Sequence, residues 1–580
     1  MKLTACPLDC FDSCVIDYSQ NSIKPFKDDL HTGKFLCSHM NHFEATQRLE
    51  KPTFMGEEVS MEEALNILTK ILKDSEANKT LYFKGHANMG EMQNITKEFF
   101  REFEAVNAKG SICAGSGDKA IELGRGSNYT LPLDAIKSSE VVVLWGRNPH
   151  DTNSHILPLL KNKKIIVIDP RVTTSAQNAD LHIQIKPLGD LVLALLLARF
   201  AVVYDQEDKE FLKEFTQDSE DFFDLTQNIR IKQALFEIDA TLPQIGEFLD
   251  LVKHKKTVFL VGTGVQRHID GVAAFRAIDS LAATLGLFGK DGCGVGYLSN
   301  PQVGIKSAFK EFKNNTTKAN VNFSEYETVF IQGANPLSQL PNSLKVTKDI
   351  QKCENVIYFG TFENETSKVA TLVIPAKHFL EKNDIRFSYG SERVTILNKL
   401  KESNIGISEY DLTLHLCEKF DYKINSEKYY LNYFKEHIQE YKRVKKTQYT
   451  KAIPYEDGFD TASGKFEFLD EIDFEHDFSW GMNLIYAKSK NSLNSQFKRE
   501  QFAYINANHG WDNGEEVILE SKYGTLKIVL KHDNTLRPDT LLLYSGTPGA
   551  NNLTNSKVSY EANSAVYQGI KINILRIIND

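Results

Sequence analysis

The sequence predicts an α/β protein built from doubly wound parallel domains, with a small cysteine-bearing segment in front and a barrel-like β domain behind. Three observations predict it. Continuous β-branched runs ending in glycine or asparagine alternate with apolar helical stripes through the middle of the chain. From about Leu484 the strands become short and turn-separated, as in FAYINAN, EEVILES, GTLKIVLK and TLLLYSG. At the other end, four cysteines crowd the first 37 residues.

Those cysteines, Cys6, Cys10, Cys14 and Cys37, follow the spacing C-x3-C-x3-C-x22-C and make up half of the 8 in the chain. Three closely spaced thiolates and a fourth from a later loop suit one compact inorganic core, and soft sulfur ligands select zinc or an iron–sulfur cluster. The spacing points to a 4Fe-4S cluster. A zinc knot, which more often uses C-x2-C pairs, and buried structural cysteines stay open as alternatives at this point. Cys113, Cys293, Cys353 and Cys417 stand singly, which argues against a disulfide framework and fits a reducing cytosol. No Arg-Arg pair or apolar leader precedes Cys6, and no 18-residue apolar run occurs, the longest candidate being Leu191 to Val203. A soluble, cytoplasmic protein is expected. The net charge of −9 comes from mixed signs without a basic stripe, which speaks against nucleic acid as a partner.

After the cysteine segment, Ala64, Leu65, Ile67, Leu68, Ile71 and Leu72 form a helical stripe, so a helix should start near Ser60. From Glu140 the pattern becomes SEVVVLWGRNP and then KKIIVIDPRVT, continuous apolar strands of the kind buried on both faces of a parallel sheet. HIQIKP before the Leu/Ala-rich stretch 190–203, and TVFLVGTGVQRH before 273–287, extend the alternation. ETVFIQGANP, NVIYFGT and TLVIPA add a second set of strands, and sheets of this class place ligands at the strands' carboxyl ends. The Lys/Asn-rich stretches Lys310 to Ala319 and Tyr441 to Thr450 read as exposed connections. A chain of 580 residues has room for several such units around a large core.

Taken together, ACPLDCFDSC with FLC, GSICAGSG, VVVLWGRNP, IVIDPRVTTSAQNADLHIQIKPLGD, VGTGVQRHIDG with LGLFGKDGCGVGY, IQGANP, FENETSKVATLVIPAKHFLEKNDI, TASGKFEF and INANHGWDNGEEV resemble, in order, the molybdopterin oxidoreductase family of the dimethyl sulfoxide reductase type. The resemblance spans essentially the whole chain. It implies four domains around a molybdenum (or tungsten) bis(molybdopterin guanine dinucleotide) cofactor, with a 4Fe-4S cluster in the N-terminal domain, and it disfavours zinc. The expected division is 1–55 for the cluster, 56–135 plus 325–455 for one dinucleotide arm, 136–324 for the other, and 456–580 for a barrel-like cap.

Physical reasoning about these motifs agrees. A pyrophosphate needs backbone N–H groups it can approach closely, and Gly146, Gly262, Gly264 and Gly333 stand at strand ends where such turns form. Asp169 and Asp190 are placed as acceptors for ribose or guanine, with helix capping as the plainer reading. Arg147, Asn148, Arg171, Gln266, Arg267, Asn335, Thr366 and Asn506 match family positions around the dinucleotide arms, and arginine offers bidentate recognition of phosphate. Cys113, in GSICAGSG, lies where the resemblance places the one protein ligand to molybdenum or tungsten. A thiolate suits a metal already held by sulfur. A buried small cysteine is the plainer reading, and Ser111 and Ser116 are the fallback ligands.

Two departures stand out. His39 follows Cys37 where the family often has Lys or Arg between cluster and pterin, and Thr371 replaces a frequent Asp. Ala114 after Cys113, instead of His, disfavours formate as substrate. The resemblance implies transfer of an oxygen or sulfur atom, or of electrons, to or from a small substrate such as nitrate, thiosulfate or polysulfide, with a ferredoxin-like or other redox partner. The same scaffold also serves nonredox hydratases and hydroxyl transferases, and catalytically silent iron–sulfur subunits. His155, His268 and His378 read as structural or cofactor-side residues.

Overall fold

The computed structural model describes residues 2–298, 307–444, 453–472 and 481–577. In chain order, the elements that position the site begin with strands β1 (Thr80–Lys84) and β2 (Val106–Lys109) and helix α1 (Gly115–Arg125). Strands β3 (Val141–Trp145), β4 (Lys164–Ile168) and β5 (Leu181–Ile183) and helix α2 (Asp190–Val203) follow. Then come β6 (Thr257–Val261), α3 (Gly271–Thr284), β7 (Gly294–Tyr297) and β8 (Asn315–Thr317). Last are β9 (Thr328–Gln332), β10 (Asn355–Gly360), β11 (Leu372–Pro375) and β12 (Asp384–Phe387).

One sheet has the order β5-β4-β3-β6-β7, parallel throughout. All five residues of β3 and of β6 are buried, which explains their unbroken apolar runs. Helices cover the sheet. The apolar stretch in α2 is a core helix: Leu191 to Ala198 are buried, and each such leucine contributes roughly 1.5–3 kcal/mol of transfer free energy. A second sheet runs β8-β2-β1-β9-β10-β11, again parallel, and is extended at one edge by an antiparallel hairpin at 53–58. The helix Met61–Asp74 packs Ala64, Leu68 and Leu72 inward and starts as expected, with Ser60 Oγ accepting from the Glu63 N–H.

Each sheet has a switch point where the strand order reverses, between β3 and β6 in the first and between β1 and β9 in the second. Crevices at such points are where open α/β sheets take ligands.

The C-terminal strands close into a six-stranded barrel running from Met482–Ala487 to Ile570–Arg576. The cysteine segment carries a three-stranded sheet of Leu3–Ala5, Val15–Asp17 and Lys24–Pro25, whose core includes Phe379 and Leu380 from far along the chain. An α/β architecture with a C-terminal barrel is therefore what the chain adopts. Among the described residues no helix is long and apolar enough to cross a membrane.

The strands cross the expected divisions at several places, beginning with Thr53–Phe54, which pairs with β11. Within 310–319, expected as an exposed connection, β8 pairs with β2 while Phe312 and Ala319 are buried. The Lys/Asn composition around it disguised this three-residue edge strand, and short edge strands resist further pairing. Tyr455, Phe459, Phe466 and Phe468 pack into the core under the five-stranded sheet, and Phe466–Glu467 pairs with Thr216–Gln217. Of the other expected connection, 441–444 ends the helix Glu427–Val444 and 445–450 lies outside the described residues.

Candidate active site

Cys113 is held by its own turn. After β2 the chain turns at Gly110, whose φ of +107° favours glycine, and Ser111 Oγ then accepts from the N–H groups of Cys113 (3.1 Å) and Ala114 (2.9 Å). Helix α1 starts at once, so the sulfur stands at a helix N-terminus. From β6's loop, Arg267 Nη2 donates to Cys113 Sγ across 3.0 Å, which fixes the sulfur's position in the turn. The fallback hydroxyls are otherwise engaged: Ser111 braces the turn, and Ser116 is buried and donates to Ser559 Oγ.

Two clefts meet at this sulfur, with volumes of about 390 and 560 Å³, and Ser111, Cys113, Arg267 and Lys488 line both. The first runs to the switch point of the five-stranded sheet. Gly146 there has φ +59°, and a Cβ on Gly262 would overlap the Gly146 carbonyl oxygen. The second cleft repeats the device: Gly333 has φ +53°, and a Cβ on Gly85 would overlap the Gly333 carbonyl oxygen. Gly85 carried no signal in sequence beyond being a glycine after a strand. Gly264 also lines the first cleft, facing open space.

Polar groups are ranged along the first cleft. Arg147 is buried; its Nη2 donates to Asn153 Oδ1 (2.7 Å), while Nε has no protein partner, and burial pushes the group down to about 10. Asn148 donates to Asp151 and accepts from Ser175. At the far end Asp169 and Asp190 come close enough to influence each other; burial pushes them up to about 7 and about 6. Asp190 accepts from Trp145 Nε1 at 2.7 Å. Arg171 reaches the barrel, pairing with Asp533 (3.1 Å) and donating to the Tyr544 hydroxyl (2.9 Å), so it ties two units together as well as lining the cleft.

In the second cleft, Gly333 and Asn335 are lining residues. Thr366 is fully buried behind them and donates to Asn335 Oδ1 (2.9 Å), and Asn335 Nδ2 donates to Glu365. Gln266 is likewise a support, accepting from Gly117 N at 2.6 Å and bonding the Tyr297 hydroxyl. Asn506 lines neither cleft; its amide donates to Leu536 O and accepts from Asn508 N, closing a turn of the barrel. Thr371, at the departure noted in sequence, accepts from Val356 N within the sheet.

Cys6, Cys10, Cys14 and Cys37 all face the first cleft. Burial pushes Cys6 up to about 12 and the other three upward as well. Among the described residues, no three Cys, His, Asp or Glu side chains gather round a common single-ion position. Strand β12 clamps this loop, which sequence did not reveal. Arg386 is 1% exposed and donates to Ser13 Oγ (2.9 Å) and to the carbonyl oxygens of Cys6 (3.1 Å), Leu8 and Cys10 (2.5 Å). In sequence it is one of two charged residues in a four-residue strand, with nothing to mark its partners. His39 stacks on Phe497 at 4.6 Å and lines the first cleft; His155 stacks on Phe35 and approaches Cys14 Sγ at 3.6 Å. His378 caps a turn through Leu380 N, and His268 is buried.

These donors fit a large anionic group: an unspent guanidinium N–H, glycine turns open to close approach, and facing thiols. Residues 48–404 match the family described as molybdopterin oxidoreductase. A probable oxidoreductase of Bacillus subtilis is 27% identical over 535 residues, covering 83% of this chain and 80% of its own. The assimilatory nitrate reductase catalytic subunit of the same organism is 22% identical over 374 residues, covering 56% of this chain and 53% of its own, so the chain spans about half of that protein. Among solved structures, acetylene hydratase from Pelobacter acetylenicus superposes with a TM-score of 0.79 over 100% of both chains at 15% identity, a likeness of fold. With its two switch-point clefts joined at one cysteine, and the match covering more than half its length, the chain belongs to the molybdopterin oxidoreductase family and is a molybdopterin-dependent enzyme.

Proposed function

We propose that the chain is a cytoplasmic oxidoreductase in which the two clefts hold the arms of a molybdenum or tungsten bis(molybdopterin guanine dinucleotide) and Cys113 supplies the protein ligand to the metal. The observation that carries this reading is the junction itself: one arginine-braced sulfur where two clefts meet, each cleft ending at a crowded pair of glycines. The glycine turns would take the pyrophosphates, Arg147 would add charge to one of them, and Asp169 and Asp190 would accept from a guanine edge. Cys6, Cys10, Cys14 and Cys37 would hold a 4Fe-4S cluster, in which each thiolate meets a different iron. That suits thiols facing one cleft without a shared single-ion position better than a zinc site, where four sulfurs converge at about 2.3 Å on one ion.

When bound, the metal centre supplies two-electron chemistry and the cluster supplies one-electron exchange with a ferredoxin-like or other partner protein. The chain's own work is to orient the ligand sulfur through Ser111 and Arg267, to keep the cysteine loop in place through Arg386, and to bury the junction between the α/β units and the barrel. The substrate in this reading is a small oxyanion or sulfur compound, and nitrate is one oxyanion that a relative's name carries.

The deciding experiment is turnover of nitrate, thiosulfate and polysulfide with reduced viologen as donor. Donor-dependent loss of one of them supports the reading. Turnover of an added alkyne or hydroxylated substrate with no electron donor or acceptor would replace it with a nonredox hydratase or transferase.

A further inference from the structure

Two lysines stand in the second cleft without an opposing carboxylate. Lys84 ends β1, directly before Gly85, and is 9% exposed. Lys318 directly follows β8, and its Nζ donates to the Lys84 carbonyl oxygen across 2.9 Å, while Lys84 Nζ donates to the Gly85 carbonyl oxygen across 3.2 Å. In the sheet order β8-β2-β1, the two lysines leave the carboxyl ends of the strands on either side of β2, the strand whose loop carries Cys113. Both line the cleft together with Ser111 and Cys113.

Neither lysine makes an ion pair among the described residues. Glu91, on the turn Glu91–Ile95, acts on Lys84 only weakly against burial, and Glu409 is taken up by Lys382 at 2.7 Å. Lys97 adds a further positive charge from the neighbouring helix. Burial first, then Lys97, and for Lys84 also Lys318, push Lys84 down to about 7 and Lys318 down to about 8. An ammonium group has three N–H donors, and each of these uses one on protein. Two buried amines facing one cleft without a counter-charge are costly to protonate, and an anion seated between them would restore both charges.

We propose that Lys84 and Lys318 form a seat for an oxyanion beside Cys113, either a small free oxyanion substrate or a phosphoryl group of the dinucleotide in that cleft. This rests on the oxidoreductase reading above. Arginine would offer a planar fork, whereas two lysines offer point charges that suit a compact anion with oxygens on several sides.

The test uses the cofactor-loaded full chain and its Lys84→Met, Lys318→Met and double variants. Nitrate and inorganic phosphate are titrated calorimetrically, and guanine nucleotide released by acid is counted per chain. Nitrate or phosphate affinity lowered about tenfold or more, with nucleotide unchanged, identifies a substrate seat. Nucleotide lowered several-fold identifies a phosphoryl seat. Nucleotide unchanged in the variants, together with anion binding that is unchanged or absent in the wild type, overturns the proposal. Lys84→Arg and Lys318→Arg keep the charge and should recover most of the loss; if they fail as fully as the methionine variants, the role is structural and the proposal falls. A wild-type chain that carries neither heavy metal nor nucleotide sinks the oxidoreductase reading instead, and phosphate binding by that chain still tests the lysines.

Discussion

Nη2 of Arg386 donates to the carbonyl oxygen of Cys10 across 2.5 Å, joining β12 to the cysteine loop 376 residues earlier in the chain. The same guanidinium serves Ser13, Cys6 and Leu8, so one buried side chain ties together four positions of the loop. Removing it takes the side-chain donor from the Cys6 and Cys10 carbonyls, and a buried carbonyl left unpaired costs about 1–3 kcal/mol. Arg386→Met is expected to lower iron per chain by at least half in anaerobically purified protein. Wild-type iron content in that variant would mean the loop holds its shape unaided.

Cys113→Ala should abolish turnover while leaving iron intact, because Cys113 and the four clustered cysteines are separate sites. Arg267→Met should reduce turnover by about 10–100-fold, the usual cost of losing a group that orients a metal ligand, and Arg267→Lys should recover part of it. Full activity in Cys113→Ala would place the ligand elsewhere.

The glycine pair in the first cleft makes a steric prediction. A Cβ at position 262 would meet backbone, which cannot swing aside. Gly262→Ala should therefore lower the melting temperature and reduce bound guanine nucleotide. Gly246→Ala, in the helix Leu242–Val252 with open space around it, should be neutral or stabilising by about 0.5–1 kcal/mol. Differential scanning calorimetry and nucleotide release separate the two.

Asp169 gives the pH dependence. Its folded value of about 7 lies above the ordinary 3.8, so at intermediate pH the folded chain keeps a proton that the unfolded chain has lost. The contribution of this carboxyl to stability is thus fully present below about 4 and is lost as pH rises through 7. In protein made by a host lacking the cofactor, Asp169→Asn should gain melting temperature over wild type progressively from pH 5 to pH 8. A pH-independent difference would show that the carboxyl titrates normally. In the loaded enzyme the same change should weaken nucleotide retention.

The sequence made the sheets legible because β3, β4, β6, β9 and β10 are buried on both faces and read as unbroken apolar runs. The barrel was legible for the opposite reason, through its short turn-separated strands. Asp169 and Gly262 directly follow strands, where chain order and cleft order coincide, whereas Cys113 and Arg147 were singled out by the family resemblance; all four line the first cleft. Arg386 and the pairing of Lys84 with Lys318 were invisible: their partners lie hundreds of residues away, and no local pattern records such a contact. Gln266, Thr366 and Asn506 stand at matching positions yet spend their amides and hydroxyl on protein, a distinction that only packing reveals.

Elemental analysis of anaerobically purified chain, with acid release of guanine nucleotide, tests the central claim most directly. About four irons, one molybdenum or tungsten and two guanine nucleotides per chain are predicted. Iron without heavy metal or nucleotide, from a host able to make the cofactor, would contradict the two-cleft assignment, and zinc in place of iron would contradict the reading of Cys6, Cys10, Cys14 and Cys37.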